Sequence, residues 1–175
     1  MPSNKQMFIS IIHVFRDYPN HLALIKKTIR NQIANGFNIN TKYLKGKTLG
    51  HYVVKYNVTG LFIYLLKCGL NLDICDDNYD TPLHLAVKNN RIILVKELIN
   101  CKVDINMACE FEATPLHLAV SSLHMAVSEG YAEIVKLLLK SDVDVSLVDE
   151  RNQSPLDYAL DEKNDHIVNL LKNKK

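Results

Sequence analysis

Thr81-Pro82-Leu83-His84-Leu85-Ala86 decides the reading of this chain, because it comes back as Thr114-Pro115-Leu116-His117-Leu118-Ala119. Weaker copies stand at Thr48-Leu49-Gly50-His51 and at Ser154-Pro155-Leu156-Asp157-Tyr158-Ala159. Thr48, Thr81 and Thr114 are spaced by 33 residues, and Thr114 to Ser154 by 40, which is one period plus seven. The hexapeptide is a helix start. Thr or Ser caps the first turn with its side-chain oxygen, and Pro at the first helical position gives up an N–H that had no partner anyway. Leu83 and Ala86 then share one face, with Ala small enough for a close neighbour.

A 33-residue period carrying T-P-L-H-x-A marks stacked units of a β-turn and two helices, and the chain resembles the ankyrin-repeat family over nearly its whole length. The resemblance implies an all-α repeat protein, an ankyrin-type solenoid of helix-turn-helix units joined by β-turn fingers. It implies a single ankyrin-repeat domain over residues 1–175, with an N-terminal cap at about 1–40, units at 41–73, 74–106 and 107–146, and a C-terminal cap at 147–175. It also implies that His84 and its counterparts are structural, bridging backbone groups near the turn of an adjacent unit.

Within the units the apolar spacing is helical. Gln6 to Arg16 reads as the first helix, ended by Pro19, and Leu22, Ile25, Ile29 and Ile33 trace the stripe of the second. Gly36 and Gly69 follow as stops able to take a positive φ, whereas Lys102 stands at the same place in the next unit and is expected to be mildly strained there. Phe37-Asn38-Ile39-Asn40 matches the family's G-A-D-V-N ending. Gly50 replaces the packing Leu and is expected to weaken its helix by roughly 1 kcal/mol relative to Ala. Leu98 and Leu138 are expected in the core.

The fourth unit contains a tandem copy. Leu116-His117-Leu118-Ala119-Val120-Ser121-Ser122 runs directly into Leu123-His124-Met125-Ala126-Val127-Ser128-Glu129, which accounts for the long period. Seven residues make almost two full turns, so both copies keep nearly one face. A continuous lengthened helix is the expectation, with Met125 and Val127 partly exposed near its end. Of the fingers, Gly46, Asp76 and Asp149 keep turn residues, while Met107 to Ala113 has neither Asp nor Gly at its turn.

Composition narrows the function. The chain has 175 residues, 47% of them hydrophobic, and a net charge of +2, which gives no ground for expecting a nucleic-acid or membrane partner. No apolar run reaches the ~20 residues that span a bilayer, and Met7 to Val14 reads as helix rather than signal core, since Arg16 and Asp17 follow at once. The four cysteines form no C-x-x-C pair, and Cys68 and Cys101 are expected as free thiols. Asp76-Asp77-Asn78-Tyr79-Asp80 lacks the central Gly and final Glu of a calcium loop, so a solvated turn is expected. There is no phosphate loop, no nucleophile elbow and no catalytic carboxylate cluster.

The resemblance therefore implies a non-enzymatic protein-binding module needing no cofactor or metal, acting as a monomer through a concave face and its finger turns. By resemblance, the contacting positions are Lys45, Lys47, Lys55, Tyr56, Asp77, Asp80, Lys88, Glu110 and Phe111. Leu44 and Asn78 occupy the same slots, and Tyr56, Tyr79 and Phe111 are the aromatics expected to be exposed there. The alternative is a remnant of a repeat-protein set without a dedicated partner, which the weak motifs and the tandem copy would suit. An intracellular, cytoplasmic location is expected, with export into a host cell if the source is an intracellular bacterium or a virus.

Overall fold

A computed structural model describes residues 3–108, 113–118 and 129–174. Its contacts divide the chain into two compact units, Met1–Pro82 and Leu83–Lys175. Among the described residues every regular element is helical. The expectations for Glu110 and Phe111, for Cys109, and for Met125 and Val127 in a continuous helix lie outside the described residues.

The N-terminal unit contains α1 (Asn4–Asp17), α2 (Leu22–Ala34), α3 (Leu49–Lys55) and α4 (Phe62–Lys67). Ser3 begins α1 through a reciprocal cap: its hydroxyl accepts the Gln6 N–H at 3.3 Å, and Oε1 of the Gln6 side chain accepts the Ser3 N–H at 3.0 Å. Helix α1 buries Met7, Phe8, Ile11 and Phe15, and α2 buries Ile25 and Ile29, the middle of the expected stripe. Phe8 is the hub of the unit. Its ring stacks on Tyr43 at 5.2 Å and meets the edges of Tyr52 and Phe37 at 5.5 and 6.1 Å.

The C-terminal unit contains α5 (Pro82–Lys88), which begins at the boundary, then α6 (Ile92–Asn100), a helical turn at 115–118, α7 (Glu129–Leu139), α8 (Pro155–Asp161) and α9 (Asp165–Lys172). Leu94, Val95 and Leu98 from α6 and Ile134, Val135 and Leu138 from α7 are all fully buried, as the apolar spacing required. Helices α6 and α7 pack together, as do α8 and α9.

The stops repeat with the motif. Gly36, Gly69 and Lys102 have φ of +91°, +86° and +57°, so Lys102 does adopt the left-handed turn that its family position demands. Asn40 and Asn106, which close their endings, are staples. Asn40 donates from Nδ2 to the Gly69 carbonyl at 2.9 Å, and its Oδ1 accepts the Asn71 N–H at 2.8 Å. Asn106 repeats this in the C-terminal unit, with the Asp142 carbonyl at 3.1 Å and the Asp144 N–H at 2.7 Å.

Gly50 corrects a sequence-based expectation. It is buried in α3, and a Cβ built there would lie 2.8 Å from Cγ of Pro82 and 3.1 Å from Cδ2 of Leu72. The proline ring cannot rotate away. Gly50 therefore lets the next Thr-Pro turn approach, and its low helix propensity is the lesser effect.

Candidate binding surface of the finger turns

The motifs at Thr48 and Thr114 each build a bridge from a helix start to the following finger. The Thr48 N–H and hydroxyl lie 3.1 and 2.9 Å from Nδ1 of His51, whose Nε2 is 2.8 Å from the Asp80 carbonyl. An N–H can only donate, so Nδ1 accepts and the ring proton sits on Nε2, where it donates to Asp80. The imidazole is neutral, and its burial pushes its pKa below the ordinary 6.5. His117 repeats the arrangement, with the Thr114 N–H at 3.1 Å and the Gln153 carbonyl at 3.0 Å, and burial lowers its pKa too. His84 is fully buried at the equivalent place. These are packed structural groups rather than accessible bases.

The bridges also locate the tandem copy. His51 reaches 29 residues ahead and His117 reaches 36, a difference of seven. The Asn staples lengthen by the same seven, from 29 to 36. On both sides of the extra heptad the repeat register is intact.

The fingers themselves are tight turns closed by the backbone. In the second, the Asp76 N–H donates to the Asp80 carbonyl at 2.8 Å and the Tyr79 N–H to the Asp76 carbonyl at 3.0 Å. The Asp76 carboxylate accepts the N–H groups of Asn78 and Asp80 at 2.9 and 3.2 Å and pairs with the Lys47 ammonium. Burial opposes its charge, yet Lys47 and the two N–H groups outweigh burial and hold Asp76 below the ordinary carboxylate range. Asp149 does the same in the last finger: it accepts from the N–H groups of Arg151 and Gln153 at 2.9 and 3.0 Å and from the Tyr158 hydroxyl at 2.6 Å. Burial and then this carboxylate push Tyr158 up to about 12.

In the first, second and last fingers the residue three after the first is left-handed: Gly46 at φ +68°, Tyr79 at +60° and Asn152 at +58°. At Gly46 a side chain is impossible, since a Cβ would lie 2.8 Å from the backbone nitrogen of Asp77. That nitrogen donates to the Lys45 carbonyl at 3.1 Å, so the first two fingers are tied to each other by main chain.

The model for ankyrin repeats, three copies, matches residues 18–107, 51–122 and 94–175, which together leave only the first 17 residues uncovered. The chain belongs to the ankyrin-repeat family. Ankyrin repeats are generally protein–protein interaction modules and typically lack enzymatic activity. No curated protein matches the sequence.

The ankyrin frame sorts the residues expected at the surface. At the fingertips Lys45 and Asp77 are exposed, beside Leu44 at 65% and Tyr79 at 64% exposure. Lys55 is exposed at the end of α3, its ammonium 5.6 and 5.3 Å from the ring centres of Tyr52 and Tyr56. Lys88 is exposed at the end of α5, where its carbonyl accepts the Tyr131 hydroxyl at 3.0 Å.

Three positions differ from expectation. Asp80 is only 3% exposed, enclosed by the finger bonds and by His51, so the solvated acidic turn has two buried carboxylates, Asp76 and Asp80. Lys47 is half-buried because Asp76 holds it inside the turn. Tyr56 is half-buried because its ring stacks on Tyr52 at 6.2 Å. The Lys47–Asp76 pair was findable: its spacing of 29 is that of His51 and Asp80.

Proposed function

We propose that this ankyrin-repeat chain binds a protein partner with the fingertips of its N-terminal unit and the adjoining end of α3, acting as a monomer. Leu44, Lys45, Asp77, Asn78 and Tyr79 form the contact, extended by Lys55 and the edge of Tyr56. Lys88 belongs to a corresponding surface of the C-terminal unit.

One observation carries the reading. Tyr79 holds a left-handed backbone at φ +60° while its ring is 64% exposed. A bulky side chain in that region costs roughly 1–2 kcal/mol. Gly and Asn fill the equivalent places at Gly46 and Asn152. The fold gains little from an exposed ring there, and aromatic side chains dominate the energetics of protein interfaces. Strain retained without a structural return points to function. A remnant drifting without a partner gives no reason to keep it.

Three half-buried thiols without disulfides, Cys68, Cys75 and Cys101, support a reducing, cytoplasmic setting, in the cell of origin or in a host. A photo-crosslinking amino acid placed at position 44 in living cells tests the binding reading. It should capture one discrete protein, with capture abolished by Tyr79→Gly and absent when the crosslinker sits at position 163. Equal capture from both positions would reject the reading, and imaging the tagged chain in the same cells tests its location.

A further inference from the structure

Charge is divided very unevenly along the chain. Residues 1–72 contain ten Lys and Arg and one acid, Asp17, whereas residues 73–175 contain eleven Lys and Arg and eighteen acids. A modest total of +2 thus conceals a first segment at +9 and a second at −7.

Some cations of the first segment have internal partners. Arg16 pairs with Asp17 at 2.7 Å, Lys47 pairs with Asp76, and Lys55 lies over two tyrosine rings. Four others stand on two neighbouring helices: Lys26, Lys27 and Arg30 on α2 and Lys67 on α4. The two helices adjoin through Tyr64, whose hydroxyl donates to the Lys26 carbonyl at 3.0 Å. The Lys26 ammonium sits 5.6 Å from the centre of that ring, and the Arg30 guanidinium lies beside the same hydroxyl. No acidic residue occurs between Asp17 and Asp73, so neither helix nor the loops joining them can supply a counter-charge. Lys26 and Arg30 are four apart and Lys27 and Arg30 three apart, spacings at which like charges destabilise a helix. Helix α4 also carries exposed apolar side chains, Ile63 at 64% and Leu66 at 37% exposure.

We propose that this face of α2 and α4 is a second docking surface, separate from the fingertips, for an acidic and partly apolar segment of a protein. Charge complementarity selects the occupant's sign, because an anionic chain relieves a repulsion that the unit leaves uncompensated. The exposed Ile63 and Leu66 select its class. A segment with carboxylates and apolar side chains covers both kinds of group, whereas a phosphate backbone leaves the isoleucine and leucine in water. Nucleic-acid stacking has no platform here, since the Tyr64 hydroxyl is engaged and its ring lies under Lys26. Helix α4 has only six residues, far short of the long apolar face by which interfacial helices enter a bilayer.

The test titrates the full-length chain into a fluorescein-labelled, Glu-rich synthetic peptide carrying a pair of leucines and follows anisotropy. Parallel titrations use vesicles containing phosphatidylserine and a duplex DNA. The peptide should bind saturably and more weakly as salt rises. Binding should fall about tenfold or more in the Lys27→Glu/Lys67→Glu variant and in Ile63→Ser, whose altered side chains are exposed. It should be unchanged in Leu44→Asp/Tyr79→Gly, so failure here is distinguishable from failure of the fingertip reading. Thermal melts establish that every variant is folded. Peptide binding that survives Lys27→Glu/Lys67→Glu would overturn the proposal. Tighter binding of vesicles or DNA through the same residues would overturn it equally.

Discussion

A missing methyl group at position 50 shows how a single residue acts through its neighbour. By helix propensity alone, Gly50→Ala gains roughly 1 kcal/mol. The new Cβ would press on the Pro82 ring at 2.8 Å, and overpacking a core commonly costs about 1–3 kcal/mol. Packing wins, so the variant should be less stable by up to about 2 kcal/mol net in urea unfolding; a gain would mean that the turn simply moves aside. The buried imidazoles act through their protonation state. His51 is lowered by burial and by Lys47, against the opposing pull of the Asp80 carbonyl and of the Asp76 and Asp80 carboxylates. His117 is lowered by burial, against the Gln153 carbonyl and Asp149. The unfolded chain takes up a proton near the ordinary 6.5 while the native chain does not. The stability these rings contribute is therefore complete above that value and declines as pH falls below it. Asp76 and Asp149, both lowered, add a second loss below the ordinary 3.8. Urea midpoints should fall from about pH 7 to about pH 5, and a flat profile there would show that the rings titrate freely when folded.

At the scale of elements, the second and last fingers are each tied to a helix start one repeat earlier, through His51 and His117. The first finger has Tyr43 where the second and last have Asp, yet its backbone closes in the same way, the Tyr43 N–H donating to the Lys47 carbonyl at 2.9 Å. Lys47 then reaches forward to the Asp of the second finger, so one turn supplies the counter-charge for the next. The tandem heptad is a whole-element change of another kind. Because bridges and staples keep register on either side of it, removing Leu123 to Glu129 should restore the 29-residue reach of His117 and Asn106. The shortened chain should melt at the same temperature or higher. A large loss of stability would place those seven residues in the core and refute this account of them.

Across the whole molecule, the repeat was legible because its signals are local. A Thr cap, a Pro at the helix start and a stop residue each act within one turn of chain, and each recurs at 33 residues, so Lys102 could be assigned a positive φ without a structure. The surface was less legible, since exposure depends on groups a full repeat away. Asp80 and Asp77 look alike in sequence. The bond from His51, 29 residues earlier, to the Asp80 carbonyl and the finger's own bonds to Asp76 set the buried residue apart from the exposed one. Gly50 is misread for the same reason, its neighbour Pro82 belonging to the next motif. On the proposed function, the N-terminal fingertips are retained for a partner at some expense to stability. Tyr79→Gly tests it when melting temperature and the affinity for the crosslinked partner are measured on one preparation. Relief of the left-handed strain should leave the variant as stable or up to about 1 kcal/mol more stable, while partner affinity drops by about tenfold or more. Affinity unchanged in a stabilised variant would contradict the account, because the strained tyrosine would then serve no partner.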